Sequence, residues 1–216
     1  MSQRDRLHAK LRDGLMAMRL LVPEAAVATL LDYLDLLERW NKAYNLTAVR
    51  DPGEMVARHL LDSLSIVPFV TGANLADLGS GAGLPGIPLA ILAPEREVLV
   101  VDSNGKKARF LREAVRSLKL SNVRVAESRV EKVDGKFDCI TARAFATLAD
   151  MLQWGGQLLA DNGRWLALKG KIADDELAAL PPGFHIESVQ ALQVPGLDAE
   201  RHLVVIAKVF GETVST

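Results

Sequence analysis

A chain of 216 residues, 49% apolar and 25% charged, is long enough to bury one full core and has an ordinary globular composition. The net charge of −1 does not announce a polyanionic partner, so any case for nucleic acid must rest on local charge. The single cysteine, Cys139, excludes an internal disulfide and a cysteine-built metal site; with no bilayer-length apolar run and no signal-peptide core after Met1, a reducing cytoplasm is the expected location.

The first seventy residues are predicted helical. Leu7, Leu11, Leu15 and Met18 recur at helical spacing from Ser2 to about Leu20. A second helix opens at Pro23 and carries Val27, Leu30, Leu34, Leu37 and Trp40 on one face. Trp40 and Tyr44, one turn apart, would suit base stacking, although a helix-end core pair is the commoner use of such residues. Asp51-Pro52-Gly53-Glu54 reads as an acidic capping box with proline at N1, opening a third helix through Leu64 that Pro68 ends. No composition break follows. Residues 1–70 are therefore expected to be a helical extension packed on a main domain of residues 71–216.

Leu75–Leu78 reads as the end of a buried strand, followed by Gly79, Gly81 and Gly83 at every second position. Glycine at that density permits a sharp turn and close approach of a ligand to the main chain. A helix follows, with Leu84 as N-cap, Pro85 at N1 and Pro88 at about N4, within the turn that lacks intrahelical N–H bonds. Strand, glycine turn and helix start predict a nucleotide-sized cradle whose backbone N–H groups face the ligand. Two fingerprints overlap there. Gly81, Gly83 and Gly86 satisfy the dinucleotide pattern G-x-G-x-x-G, though Gly79 separates it from the strand. Asp77-Leu-Gly79-Ser-Gly81-Ala-Gly83 instead resembles the first motif of S-adenosylmethionine-dependent methyltransferases, in which the acid and loop amides hold the methionine end of the ligand.

From residue 75 strands and helices alternate. Strand-like runs at 75–78, 97–101, 123–126, 137–142 and 164–168 are separated by helical segments at 84–92, 105–118 and 148–159. That series predicts a parallel α/β sheet with right-handed crossovers. Runs at 184–194 and 202–209 are too close for an intervening helix and are expected to pair antiparallel through Pro195-Gly196. A parallel sheet ending in an antiparallel hairpin is the Rossmann-like class I methyltransferase architecture, and it argues against a dehydrogenase.

Several positions could carry chemistry. Asp102 ends the second strand, where an acid suits ribose hydroxyls; the alternative is an N-cap for the helix near Gly105. That helix is divided, with Arg109, Arg112, Arg116 and Lys119 opposite an apolar face. Seven lysines and arginines against one acid, Glu113, lie between Ser103 and Ala126; the stripe fits either a phosphate track or a solvated face. Val130 and Glu131 lie just past the third strand, where the resemblance to methyltransferases implies residues that flank adenine; the alternative is an exposed strand-end turn. After the fourth strand the chain reads Thr141-Ala-Arg143-Ala-Phe145, without the Asn/Asp-Pro-Pro-aromatic common in exocyclic-amine methylation. Carbon methylation of cytosine needs a thiolate, and Cys139 lies inside a strand, where an inert core thiol is expected. An acceptor that is already nucleophilic remains, and guanine N7 qualifies because its lone pair is free. Arg143 would face the cleft and hold a phosphate or base edge. His8, His59, His185 and His202 show no metal spacing.

Further stretches bind these readings together. Trp40-Asn-Lys-Ala-Tyr-Asn-Leu-Thr47, Arg58-His59-Leu-Leu-Asp62-Ser63, Gly79 to Pro88, Asp102-Ser with Lys106 to Leu111, Arg129-Val-Glu131, Arg143-Ala-Phe145, Leu168-Lys-Gly170 and Glu200-Arg-His-Leu203 resemble the RsmG/GidB family of bacterial small-subunit rRNA (guanine-N7) methyltransferases. The resemblance runs over essentially the whole chain. It implies methyl transfer from S-adenosylmethionine to one guanine of 16S rRNA, in a loop near the decoding centre. It matches Gly79, Leu84, Val130, Glu131 and Arg143 to the family's cofactor positions, and so sets Arg143 on the cofactor side. Lys169 and Arg201 match basic positions expected to face the RNA. The expected partner is 16S rRNA or a precursor small subunit, and the expected state is a monomer without metal or membrane. A non-catalytic nucleotide sensor and a small-molecule methyltransferase are the competing readings.

Overall fold

The computed structural model describes residues 1–143 and 146–209. Ala144 and Phe145, the tail of the Arg143 motif, lie outside the described residues. Helix α1 (Gln3–Ala17) is opened by a full capping box: Ser2 Oγ accepts the Asp5 N–H at 3.1 Å, and the Asp5 carboxylate accepts the Ser2 N–H at 2.8 Å. Helix α2 (Glu24–Tyr44) stops at Asn45, a residue that tolerates the left-handed conformation it adopts there (φ 52°). Helix α3 (residues 52–64) is opened by Asp51, whose Oδ1 accepts the Glu54 N–H at 2.8 Å. Its periodicity predicts a plain α-helix. Instead an α turn at Pro52–Met55 widens into a π stretch at Val56–Leu61 and closes with Asp62–Leu64. Such π segments gather at functional sites, and this one carries Arg58 and His59.

Seven strands follow: β1 (Asn74–Leu78), β2 (Glu97–Asp102), β3 (Val123–Glu127), β4 (Phe137–Arg143), β5 (Leu159–Lys169), β6 (Phe184–Ala191) and β7 (His202–Lys208). They form one sheet in the order β3-β2-β1-β4-β5-β7-β6, parallel through the first five and antiparallel across β5/β7 and β7/β6. The intervening helices are α4 (Gly86–Leu92), α5 (Gly105–Ser117), α6 (Leu148–Gly155) and α7 (Asp174–Ala178). Alternate strand residues enter opposite cores. Leu75, Val98, Val100, Leu203 and Val205 pack with α1 to α5, while Ala76, Leu78, Val101, Val204 and Ile206 pack with α6 and Trp165. The buried side chains of α1, α2 and α3 share one continuous cluster with the sheet.

Two boundaries differ from the periodicity. Helix α4 starts one residue late: Pro85 is its N-cap and Gly86 its first residue, so Pro85 and Pro88 stand at N-cap and N3. Both prolines still fall where no intrahelical N–H bond is needed. Helix α6 ends at Gly155, and Gly156–Leu158 forms a 3₁₀ turn. A Cβ at Gly155 would stand 2.9 Å from Val130, and one at Gly156 2.5 Å from Phe184, so a side chain at either would force its neighbours to shift.

Candidate active site

Strand order reverses at β1, with β2 on one side and β4 on the other. In parallel α/β sheets that switch point opens a crevice at the carboxyl ends of the strands. A cleft of about 670 Å³ lies there, lined by Gly79, Gly81, Leu84, Asp102, Val130, Glu131 and Arg143 among others. Seven of the nine expected cofactor positions thus meet in one space. Two do not reach it.

Asp77 is fully buried behind the loop. Its Oδ1 accepts Thr141 Oγ1–H at 2.9 Å, and its Oδ2 accepts the Ser80 hydroxyl and, at 3.0 Å, the Gly86 N–H. Burial pushes its pKa up to about 6 against those three donors. Asp77 therefore holds the glycine loop in shape, with both carboxylate oxygens engaged behind it. Gly83 (φ 90°) also turns away, since a Cβ there would meet Ile87 at 2.5 Å.

The loop differs from the expected array of N–H donors. The Gly81 N–H goes to Asp102 Oδ2 at 2.8 Å, those of Gly83 and Leu84 to Ser80 O, and that of Gly86 to Asp77. A pyrophosphate would require such amides to be available. The occupied amides count against the dinucleotide reading; Gly86, packed against Asp77 and Val100, has the helix–strand packing role that either fingerprint would give it. Gly81 itself faces the cleft: at φ 61°, a Cβ built on it meets nothing nearer than Gly79 O at 3.9 Å.

Asp102 lines the cleft and is not a cap. Asn104 caps α5, accepting the N–H groups of Lys106 and Lys107 at 3.0 and 3.3 Å. The Asp102 carboxylate accepts from Gly81 and, at 2.8 Å, from the Asn104 N–H, with Lys107 Nζ 3.8 Å away. Each oxygen keeps a second lone pair for a hydroxyl donor.

The helical extension supplies part of this site, which sequence reasoning missed. Leu46 and Thr47 form one wall, and the buried Tyr33 hydroxyl donates to Ala82 O at 2.6 Å from behind the loop. Burial raises the Tyr33 pKa, so it remains a donor. Trp154 lines the cleft with Val130. Leu46 and Thr47 belong to the Trp40–Thr47 stretch that the sequence singles out, but their place in the cleft, like that of Tyr33 and Trp154, comes from the packing of α2 and α6 on the sheet.

Arg143 joins this cleft to a smaller cavity of about 250 Å³, lined also by Arg58, His59, Asp62, Lys169 and Arg201. Lys169 is not a free cation: its Nζ donates to Ala146 O at 2.7 Å and to Glu176 Oε1 at 2.6 Å. His59 is buried with Nε2 2.9 Å from Thr47 Oγ1, and burial followed by the charge of Arg143 lowers its pKa to about 4. Cys139 is buried in β4 and pushed up to about 12, which removes it as a nucleophile.

The basic face of α5 is exposed but divided. Arg112 pairs with Glu127 at 2.8 Å and Arg116 with Glu113 at 2.8 Å. Among the described residues Arg109 and Lys119 make no ion pair. Trp40 and Tyr44 stack on each other, their ring centroids 5.0 Å apart, and Trp40 packs edge-on to the buried Phe110, the core arrangement rather than a base platform. Among the described residues no three His, Cys, Asp or Glu side chains gather as a metal site requires, and no helix is long and apolar enough to cross a membrane.

The chain is 58% identical over 202 residues to "Ribosomal RNA small subunit methyltransferase G" of Xanthomonas campestris pv. campestris, covering 93% of this chain and 94% of that one. It is 53% identical over 201 residues to the protein of the same name from Marinobacter nauticus, covering 92% and 94%. Among solved structures, TrmN from Thermus thermophilus superposes with a TM-score of 0.57 at 22% identity, over 78% of this chain and 53% of that one. M. jannaschii TYW2 in complex with AdoMet superposes with a TM-score of 0.53 at 16% identity, over 70% and 77%. Those likenesses establish the class I methyltransferase fold. The profile of GidB, the rRNA small subunit methyltransferase G family, matches residues 26–204, and the chain belongs to that family.

Proposed function

We propose that this protein transfers a methyl group from S-adenosylmethionine to N7 of one guanine of 16S rRNA, near the decoding centre. The observation that carries the reading is the junction at Arg143, where a cleft suited to a nucleoside meets a second cavity lined with arginines. The cleft fits the cofactor: Gly81 leaves open the space a side chain would fill, and Asp102 offers acceptors suited to ribose hydroxyls. Val130 and Glu131 line the same cleft and are the candidates to flank adenine, and Gly79 and Leu84 line it from the glycine loop. S-adenosylmethionine, when bound, supplies an electrophilic methyl carbon.

Guanine N7 carries a lone pair and no proton, so the residues at the junction need not remove one. Their work is alignment and exclusion of water. Arg143 is the positioning group, half-buried where both ligands would meet. His59, held neutral by its surroundings, adds no charge there at pH 7. The RNA would approach over Arg201 and Arg58, with Lys169 contributing through its bridge to Glu176. Arg109 on α5 and Lys119 just past its end are the candidates for additional phosphate contacts; Arg112 and Arg116 are already paired with acids.

The deciding experiment is nuclease digestion and mass spectrometry of 16S rRNA from cells lacking this protein, paired with methylation of undermodified 30S subunits using methyl-tritiated cofactor. Loss of one 7-methylguanosine, restored in vitro, is the expected result. Cofactor binding without transfer to RNA would mark a sensor. Transfer to a small metabolite alone would mark a different methyltransferase.

A further inference from the structure

Asp62 belongs to the last turn of α3 and is 1% exposed. Its two carboxylate oxygens take two different arginines. Oδ2 accepts Arg143 Nη1–H at 3.2 Å, and Oδ1 accepts Arg201 Nε–H at 3.0 Å. Arg143 ends β4, and Arg201 immediately precedes β7. One buried carboxylate therefore ties together α3, the parallel part of the sheet and the antiparallel hairpin. Each arginine has a further anchor: Arg143 Nη1 donates to Arg58 O at 3.1 Å, and Arg201 Nη1 to Glu200 O at 2.9 Å. Asp62 thus takes one edge of each planar fork. Among the described residues the second Nη of each guanidinium has no acceptor, which leaves it for one from outside the protein.

One carboxylate between two guanidiniums leaves one net positive charge at the cavity wall, held by side chains that cannot swing independently. A phosphate is bound best by such fixed planar donors. The base edge of guanine is the other common partner of arginine, through O6 and N7. Here that contact would occupy the lone pair that must react. The geometry therefore favours a phosphodiester of the strand over the target base.

Resting on the reading of this protein as an rRNA methyltransferase, we propose that Asp62 is a positioning residue that locks Arg143 and Arg201 into one clamp for a backbone phosphate beside the target nucleotide. Arg143 is shared with the cofactor cleft, so the clamp fixes the distance of the RNA strand from the methyl donor.

The test compares wild type, Asp62→Asn, Arg201→Gln and the double variant, by binding to undermodified 30S subunits across a salt series and by steady-state methyl transfer. Asp62→Asn is expected to raise the KM for subunits at least tenfold and to flatten the salt dependence of binding by about one phosphate contact. The dissociation constant for S-adenosylhomocysteine should stay within about threefold. The double variant should be no worse than the more affected single one, because both act on the same contact. Wild-type KM and salt slope in Asp62→Asn, with only a lowered Tm, would make Asp62 a structural buttress and overturn the proposal; so would fully additive effects. Should Asp62→Asn fail to fold, Asp62→Glu keeps the charge but moves it by one methylene, and the same rise in KM is expected. Wild-type protein that binds subunits with this Asp62-dependent salt slope yet transfers no methyl group would defeat the functional reading and leave the clamp standing.

Discussion

The amide of Gly81 donates to Asp102 Oδ2 at 2.8 Å, so the glycine loop after β1 is hung on the carboxylate that ends β2. The same carboxylate accepts the Asn104 N–H through its other oxygen. One side chain thus shapes the floor of the cleft and offers the acceptors a ribose would use. Asp102→Ala should raise the dissociation constant for S-adenosylhomocysteine by at least tenfold, about 1.4 kcal/mol, the scale of a hydrogen bond to a charged group. Isothermal titration calorimetry reads this directly. Wild-type affinity in the variant would remove Asp102 from the site.

Gly81 and Gly86 should fail in opposite ways. A Cβ at Gly81 has open space around it, so Gly81→Val costs the protein roughly 1–2 kcal/mol of left-handed strain. It places its methyl groups in the cleft and should abolish cofactor binding in a folded protein. A Cβ at Gly86 would lie 2.8 Å from both Asp77 Oδ2 and Val100 Cγ1. Gly86→Ala should therefore destabilise by about 1–3 kcal/mol, a Tm loss of several degrees, while any folded fraction still binds. Thermal denaturation and calorimetry on both variants separate the two roles. An unfolded Gly81→Val would contradict the assignment.

How far the sequence could be read follows from which interactions are local. The hydrophobic periods of β1 to β5 and the glycine run made the strands and the glycine cradle legible, because each depends on residues adjacent in the chain; the strand order that puts the switch point at β1 is set by pairing between distant segments. The direction of Asp77 was not legible. An acid two residues before a glycine turn has the same spelling whether it faces a ligand or, as here, Ser80, Thr141 and Gly86; Thr141 comes from β4, 64 residues away. The same applies to Lys169 and Arg112, whose partners Glu176 and Glu127 are set by packing of α7 and β3. A basic residue is visible in a sequence, whereas its neutralising acid is visible only in the fold. The π stretch of α3 had no periodic signal either, since its apolar residues suit an ordinary helix equally well.

The divided charge on α5 makes a graded prediction. Arg109 and Lys119 are exposed, and Arg112 and Arg116 are exposed but paired with Glu127 and Glu113. If this face tracks RNA, Arg109→Ala and Lys119→Ala should each weaken 30S binding and lower the salt slope by about one. Arg112→Ala and Arg116→Ala should lower the slope less, because their guanidiniums are already committed to Glu127 and Glu113 and offer less to a phosphate. Filter binding over 50–300 mM salt, on the order of the range where such slopes are resolved, is the measurement. Equal slopes in all four variants and wild type would make the face merely solvated.

Two buried groups give the acid stability profile opposing slopes. His59 has a folded pKa near 4, below its ordinary value, owing to burial and then to the charge of Arg143; Arg58 on the same helix and Thr47 Oγ1 are its other neighbours. As pH falls from about 6.5 to 4 the unfolded chain takes up a proton that the folded one refuses, so His59 costs stability in that window. Asp77, raised to about 6 by burial, acts the other way: as pH falls from about 6 toward 4 the folded protein binds a proton first and gains stability. Each effect is bounded at about 3 kcal/mol by the size of its shift. The two largely cancel in the wild type, and single variants should uncover them. Relative to wild type, His59→Gln should gain stability on acidification from pH 7 to 4.5, and Asp77→Asn should lose it. Urea unfolding at half-unit pH steps reads both differences. Parallel profiles for His59→Gln and wild type would mean that His59 titrates alike in the folded and unfolded chains, and would sink the claim that burial keeps it neutral.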